Sequence, residues 1–349
     1  MLNDLFVAAI AALISALLSW GFRKLPEERW QMIAAVPTAK TADGAWQGIN
    51  LTFYGFFSAT GITFGIALAI LLIGSMHMPL TLAFILVVAV IAICLPASRL
   101  VAAIVERKRN TFTIAGAGFV AAMIFPPTLF FSQQALHTRM HITIFALPLL
   151  AAAGIAYAIA EAIGRLACIS FGCCYGIPLR QARPRLAKLF SRYHLVFHGG
   201  TKKAAYASGL DDQPLIPVQA ITSILFAVSG LTGLVLFLAQ RWRLAMIVPV
   251  VGTWGWRALA ETLRADYRGN SRISIYQIMS LIAMCYLTFA ALVMPVEGVA
   301  PDLTRGFSEI SSTGVFLFLQ ALWILLFLYY GRSRVTGSVV SFHVIEKSI

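Results

Sequence analysis

The chain has 349 residues, of which 59% are hydrophobic and 12% charged, and its 27 Lys and Arg outnumber 14 Asp and Glu to give a formal net charge of +13. Soluble domains carry roughly a quarter charged residues, so this composition excludes an ordinary soluble protein and points to a multi-pass membrane protein. The positive charge lies in short loops beside apolar runs, where it sets topology and attracts anionic lipid, and it is not a nucleic-acid signature.

A run of about 18 apolar residues can cross a bilayer. Nine candidates follow in chain order, centred on 5–22, 49–74, 79–98, 112–131, 142–163, 216–239, 244–263, 273–294 and 312–331. The expected fold is an all-α polytopic membrane protein with about nine transmembrane helices. The first run follows Met-Leu-Asn-Asp, with no basic stretch before it and no small-residue cleavage site after it, so it reads as a retained helix rather than a signal peptide. The polar insert 177–215 is the one long loop. From Arg180 to Arg192 it alternates basic and apolar residues at helical spacing, which suits an amphipathic helix on an anionic membrane face, or a solvated loop whose charges set topology. His194 and His198 stand four apart there, with no acidic or cysteine companion to suggest a metal site.

Sorting Lys and Arg by alternate loops places 21 on the side of loops 23–48, 99–111, 177–215, 264–272 and the tail after 331, and 4 on the other side. The positive-inside rule puts the 21-charge side in the cytoplasm.

Five cysteines, Cys94, Cys168, Cys173, Cys174 and Cys285, form no secreted disulfide pattern and no C-x-x-C or Cys/His metal spacing, which argues against a zinc or haem site. Cys94 and Cys285 read as small buried hydrophobes within apolar helices. The stretch 161–176, EAIGRLACISFGCCYG, is unusual because it places an acid, an arginine, three cysteines and three glycines at the end of an apolar run.

Charges inside spanning segments cost roughly 2.5–3.5 kcal/mol each at the helix centre and are functional candidates by default. Glu161 and Arg165 are spaced i, i+4. Arg257, Glu261 and Arg264 follow at i, i+4 and i+7, which on a continuous helix share one face. Arg257 cannot lose its charge and needs a partner, for which Glu261 is nearest in sequence. One reading is a structural ion pair joining two helices. The other is that Arg165 and Arg257 converge on a phosphate, whose oxygens match the guanidinium fork. Gly164, Gly172 and Gly176 would then let the backbone approach the ligand and donate N–H groups. Phosphate within a membrane protein implies a phospholipid headgroup, and the aromatics Tyr54, Trp254, Trp256 and Tyr175 suit the interface where a headgroup sits.

These segments resemble those of the prolipoprotein diacylglyceryl transferase family. G-R-L-A-C-I-S-F-G-C-C-Y-G at 164–176 is similar to that family's G-R-x-G-N-F-x-N-G-E-x-x-G motif. Six further stretches follow the family's order: L-T-F-Y-G at 51–55, P-A-S-R-L at 96–100, T-F-T-I-A-G-A-G at 111–118, I-P-V-Q at 216–219, W-G-W-R-A-L-A-E-T-L-R-A-D at 254–266 and S-I-Y-Q-I-M-S-L at 274–281. The resemblance covers about 50–290. It implies a core over 49–295 with the polar insert, an extra helix and loop over 1–48, and an extra helix and tail over 296–349. It further implies a bacterial inner-membrane enzyme that moves the diacylglyceryl group of phosphatidylglycerol to an acceptor and releases glycerol phosphate, with no cofactor and with its site facing the periplasm.

By the same resemblance Arg165 and Arg257 hold the phosphate, Glu261 orients Arg257, Tyr54 lines the lipid cavity, and Arg99, Arg264, Gln219 and Gln277 support the site. The chain departs from the family at acceptor-side positions. Thr113 replaces a histidine, Cys168 and Phe171 replace asparagines, Cys173 replaces a glutamate and Thr253 replaces a tyrosine. The acceptor implied is a lipoprotein cysteine or, given these changes, another nucleophile such as a glycan or a lipid. Thr113, Glu161, Cys173 and Cys174 are the acceptor-side candidates. The cysteine pair either carries a covalent intermediate, as a thiolate beside arginine would allow, or is structural. A non-catalytic phospholipid-binding or lipid-moving protein is the alternative to a transferase.

Overall fold

A computed structural model describes residues 1–40, 42, 46–105, 114–140, 144–266 and 273–333. The chain is mostly helical (73%). Its elements in order are α1 Leu2–Lys24, β1 Met32–Lys40, β2 Trp46–Thr52, α2 Phe53–Ser75, α3 Leu80–Val105, α4 Ile114–Met140, α5 Ala146–Phe171, α6 Pro184–Phe190, α7 Lys203–Ser208, α8 Val218–Leu238, α9 Trp242–Val250, α10 Trp256–Ala260, α11 Ile275–Val293, α12 Leu303–Ile310, α13 Thr313–Gly331 and β3 Arg332–Ser333.

Among the described residues seven helices are long and apolar enough to cross a membrane: α1, α2, the Gly116–Gln133 part of α4, α5, α8, α11 and α13. Leu281, Phe289, Leu317 and Leu325 are exposed on α11 and α13, as a lipid-facing surface requires. Two of the nine expected spans are not in this set. The span 79–98 falls on α3, part of whose side chains lie outside the described residues. The span 244–263 is not one helix: α9 ends at Val250, a π turn covers Val251–Gly255, α10 follows, and a 3-10 turn over Glu261–Leu263 closes the segment.

An all-α fold is also corrected. The expected loop after α1 contains β1 and β2, which pair antiparallel, and β3 adds to β2 after α13. Pro37 pairs with Gly48 beside a register shift within β1, the kind of irregularity at which a strand tolerates proline.

Helix α5 is the axis of the molecule, buried along most of its length and packed against α1, α2, α4, α8 and α9. Small residues make this possible, because helices in lipid gain association energy only when their backbones approach closely. Gly61 and Gly65 of α2 face Ala156, Ala160 and Gly164 of α5. A Cβ at Gly61 would lie 2.6 Å from the Ala160 carbonyl oxygen, and one at Gly65 would lie 2.9 Å from the Ala156 carbonyl oxygen. On the opposite flank, a Cβ at Gly230 of α8 would meet Ile159 at 2.6 Å.

The insert 177–215 forms two short helices, α6 and α7, and clamps the end of α5. Lys202 is wholly buried and donates from Nζ to the carbonyls of Leu25 (2.9 Å) and Ser170 (2.6 Å), tying the ends of α1 and α5 together. Burial lowers this amine to about 7, against the opposing attraction of Glu28 and Glu27. A neutral amine still has two N–H groups, one for each carbonyl.

Two predictions arise from this packing. Gly61→Ala should cost about 1–3 kcal/mol of stability, because the methyl must push backbone aside. Gly164→Ala should be nearly neutral in the same thermal melt, since nothing lies within 4 Å of its Cβ position. Equal losses would show that close approach at Gly61 does not govern the α2–α5 seam. The second concerns Lys202. Its folded value lies below the ordinary ~10.4 of an unfolded lysine, so between these values the unfolded chain binds the extra proton and stability gains as pH rises. The melting temperature of the wild type relative to Lys202→Met should therefore climb from about pH 7 to pH 9. A flat or falling difference would contradict it.

Candidate functional site

The charged residues of the apolar interior gather where α5, α10 and the turn after α5 meet. Glu161 and Arg165 are one helical turn apart on α5, and Arg165 Nη2 donates to Glu161 Oε2 at 3.0 Å. Arg257 Nη2 donates to the same oxygen at 2.5 Å. The three side chains are 10–15% exposed. One carboxylate thus holds two guanidinium groups, and the trio carries a formal charge of +1. The Nε atoms of Arg165 and Arg257 are both buried and have no hydrogen-bond partner. Arg257 is further held among aromatic faces, with its guanidinium 5.7 Å from the Trp254 ring centre, 5.8 Å from Tyr157 and 5.9 Å from Phe226.

The partner of Arg257 expected from spacing was Glu261, and the structure corrects this to Glu161. The cause is the broken helix. Pro249 has no N–H to give, and Thr253 Oγ1 donates to the Pro249 carbonyl at 2.6 Å beside the π turn. The extra residue in that turn rotates the segment that follows, Arg257 and Glu261 together, relative to α9, and the 3-10 turn then ends the helix before Arg264, which is extended. Arg264 therefore leaves the helix face that the spacing gave it. Glu261 instead joins a second trio: Arg264 donates from Nη1 to Glu261 Oε1 at 3.2 Å and from Nε and Nη2 to Asp266 at 2.8 and 2.7 Å. This trio carries a formal charge of −1 and lies beside the first.

The turn 172–177 links the two trios. Gly172 caps α5 in the left-handed conformation at φ 71°, and the amide of Cys173 returns to the Cys168 carbonyl at 3.0 Å. Gly176 pairs as a β-bridge with Arg264, and a Cβ there would lie 2.3 Å from the Ile216 carbonyl oxygen. Gln219 Nε2 donates to the Cys173 carbonyl at 2.8 Å, while its Oε1 is buried without a partner. Tyr54 meets this turn edge-on through Phe171, with ring centres 5.7 Å apart.

Other expected site residues lie elsewhere. Arg99 is exposed and donates to the Tyr329 hydroxyl at 2.9 Å, tying α3 to α13 rather than joining the cluster. Gln277 completes a capping box with Ser274 at the start of α11 and donates to the Ala258 carbonyl at 3.1 Å, so its role here is to pin helices. Thr113 lies outside the described residues. In the insert, His198 does have an acidic companion, Asp212 at 2.5 Å, which the linear spacing concealed, and His194 contacts the Ser191 carbonyl instead.

The cysteines also depart from expectation. Although no metal spacing is present in the sequence, the cap at Gly172 folds Cys173 and Cys174 back on Cys168, and the three Sγ atoms lie within 4.8 Å of one another. Arg165 Nη1 donates to Cys168 Sγ at 3.8 Å. Hydrogen bonding with Cys168 and Cys174, and then burial, hold the Cys173 thiol well above its ordinary range. Thiols that resist ionisation are poor nucleophiles, which weighs against the covalent-intermediate reading.

Neither a protein-family model nor a curated protein matches this sequence. The geometry itself therefore bears the weight of a functional reading.

Removing the shared carboxylate tests that geometry. Glu161→Gln should destabilise the protein by about 3 kcal/mol or more, because two buried arginines would then face each other without an anion. Glu261→Gln, which leaves Arg264 with Asp266, should cost less in the same denaturation measurement. The reverse order would mean that the second trio, and not Glu161, holds the interior together.

Proposed function

We propose that this chain is a membrane transferase that moves the diacylglyceryl group of phosphatidylglycerol, or of a similar anionic phospholipid, to an acceptor and releases glycerol phosphate. The observation carrying this reading is the paired arginines: two guanidinium groups share one carboxylate oxygen and each keeps an unpartnered, buried Nε–H. A site with a formal +1 charge and spare donors in an apolar interior suits an anion, and a lipid phosphate is the anion a bilayer supplies. The resemblance of the motif stretches to prolipoprotein diacylglyceryl transferases points to the same two arginines.

In this reaction the acceptor nucleophile bonds to the glycerol C3 carbon of the donor lipid as the bond from C3 to the phosphate oxygen breaks. The electron pair leaves on that oxygen, so charge builds on the departing phosphate. Arg165 and Arg257, preoriented by Glu161, would stabilise that charge without reorganising at the moment of reaction. Gly164, whose Cβ direction is open, would let the lipid approach beside Arg165. The acceptor is a lipoprotein cysteine or another nucleophile, a glycan or lipid. The 21 basic residues on one side favour a cytoplasmic site and the family resemblance favours a periplasmic one.

A second reading, phospholipid binding without chemistry, is favoured by Glu261 and Gln277. Their hydrogen bonds go to Arg264, Ser274 and Ala258, at the ends of helices, rather than toward the paired arginines.

Purified protein incubated with labelled phosphatidylglycerol and a lipobox peptide, a periplasmic extract or a cytosolic extract should release glycerol phosphate with at least one acceptor. Arg165→Ala and Arg257→Ala should each lower that release by about 10²–10³-fold. The productive acceptor source would give the compartment. Lipid binding without release in any mixture would replace the transferase with the second reading.

A further inference from the structure

We propose that Cys168, Cys173 and Cys174 form a three-thiolate site for a soft, thiophilic metal ion, Cu(I) or Zn(II). This site is separate from the lipid chemistry and stands whether or not that reading holds. The three Sγ atoms already lie within 4.8 Å of one another. With metal–sulfur bonds of about 2.3 Å, three thiolates around one ion stand about 4 Å apart, so rotation of the side chains closes the gap without moving the backbone.

The backbone that gathers them is held from several directions. Gly172 turns the chain back at φ 71°, and Cys174 follows in the left-handed region at φ 57°, a conformation that costs a non-glycine residue energy. Flanking bonds keep it there: Ala204 N–H to the Gly172 carbonyl at 3.0 Å, Ile177 N–H to the Leu263 carbonyl at 3.0 Å and Ala265 N–H to the Tyr175 carbonyl at 3.0 Å. The strained residue is thereby the one that turns its thiol toward the end of α5.

Charge and ligand type agree. The cluster contains sulfur alone, with no carboxylate or imidazole in it, and thiolate sets select soft ions over Mg(II) or Ca(II). Binding releases three thiol protons and leaves a centre of net −2 with Cu(I) or −1 with Zn(II). Arg165, which already donates to Cys168 Sγ at 3.8 Å, would face that anion, and so would Arg264, which is close enough to Cys174 to interact by charge. Zn(II) would keep an open fourth position, whereas Cu(I) is satisfied by three sulfurs. Because protons leave, binding should weaken on acidification.

The test is anaerobic titration of the full-length protein in detergent with Cu(I), Zn(II) or Mg(II), followed by alkylation and mass-spectrometric mapping of each cysteine. One equivalent of Cu(I) or Zn(II) should protect Cys168, Cys173 and Cys174 together, leave Cys94 and Cys285 reactive, and be matched by no protection with Mg(II). The Cys94→Ser/Cys285→Ser protein, which keeps the cluster, should bind one equivalent as the wild type does. Cys168→Ser should weaken binding by more than about 100-fold, beyond what loss of an outer-shell partner costs. The proposal is overturned if neither soft ion protects the three thiols in the wild type, or if Cys94 and Cys285 are protected equally. The readout needs no glycerol phosphate release, so it can fail or succeed independently of the transferase assay.

Discussion

A single carboxylate oxygen, Oε2 of Glu161, determines how the interior of this protein is arranged. It accepts from Arg165 on its own helix and from Arg257 on another, and so fixes α10 against α5 from inside the apolar bundle. Burying charges is expensive, and an ion pair repays that cost only when geometry is good and the remaining donors are met. Here the geometry is good and the donors are not all met, since both arginine Nε atoms lack partners. A merely structural pair would not need the second arginine. The excess donor capacity is the feature on which the proposed anion site rests.

The irregular backbone around the site follows from this constraint. An unbroken helix running through residue 264 would have carried Arg257, Glu261 and Arg264 along one face. The π turn at Val251–Gly255 re-aims the segment that carries Arg257, whose guanidinium pairs with Glu161, and the 3-10 turn after Ala260 releases Arg264 into a strand-like segment paired with Gly176. Broken helices at membrane depth are tolerated where protein surrounds them, because other groups satisfy the released backbone. Thr253 does so for the Pro249 carbonyl, and Gln277 does so for the Ala258 carbonyl. Residues that seemed suited to touching ligand are thus the ones that make the irregularity affordable.

Much of the bundle was legible in the sequence, because an apolar run long enough to span a bilayer has few alternatives, and α1, α2, α5, α8, α11 and α13 fall where hydropathy places them. That Glu161, Arg165 and Arg257 would need partners was legible for the same reason, since charges in such runs stand out. Their pairing was not. Spacing arguments assume a continuous helix, and neither the effect of Pro249 with Thr253 nor the contact between residues 96 apart in sequence can be read from periodicity. The Gly61–Gly65 pair was a missed signal: two glycines four apart in an apolar helix mark a close helix crossing, and this crossing locates α5. The β1–β2 pairing was missed because hydropathy finds apolar runs and not strand contacts, so 23–48 read as loop and 49–52 as the start of the second span. For Arg99, for which the short motif suggested a supporting role, the hydrogen bond to Tyr329 of α13 is a contact 230 residues away in sequence that no motif shows.

The two charge trios explain why the site has sides. The Glu161 trio, formally +1, lies along α5, while the Arg264 trio, formally −1, lies at the turn that follows it, and the three thiols stand between them at the end of the helix. An anion approaching the paired arginines would be attracted by the first trio and opposed by the second, while the faces of Trp254, Tyr157 and Phe226 hold the Arg257 guanidinium rather than the anion. A cation at the thiols meets the reverse field and gains from Asp266 and Glu261 while its thiolates gain from Arg165. The proposed lipid-phosphate and thiolate sites would draw on the same six charged side chains at neighbouring positions, because the neutral total is divided into halves of opposite sign rather than cancelled pair by pair.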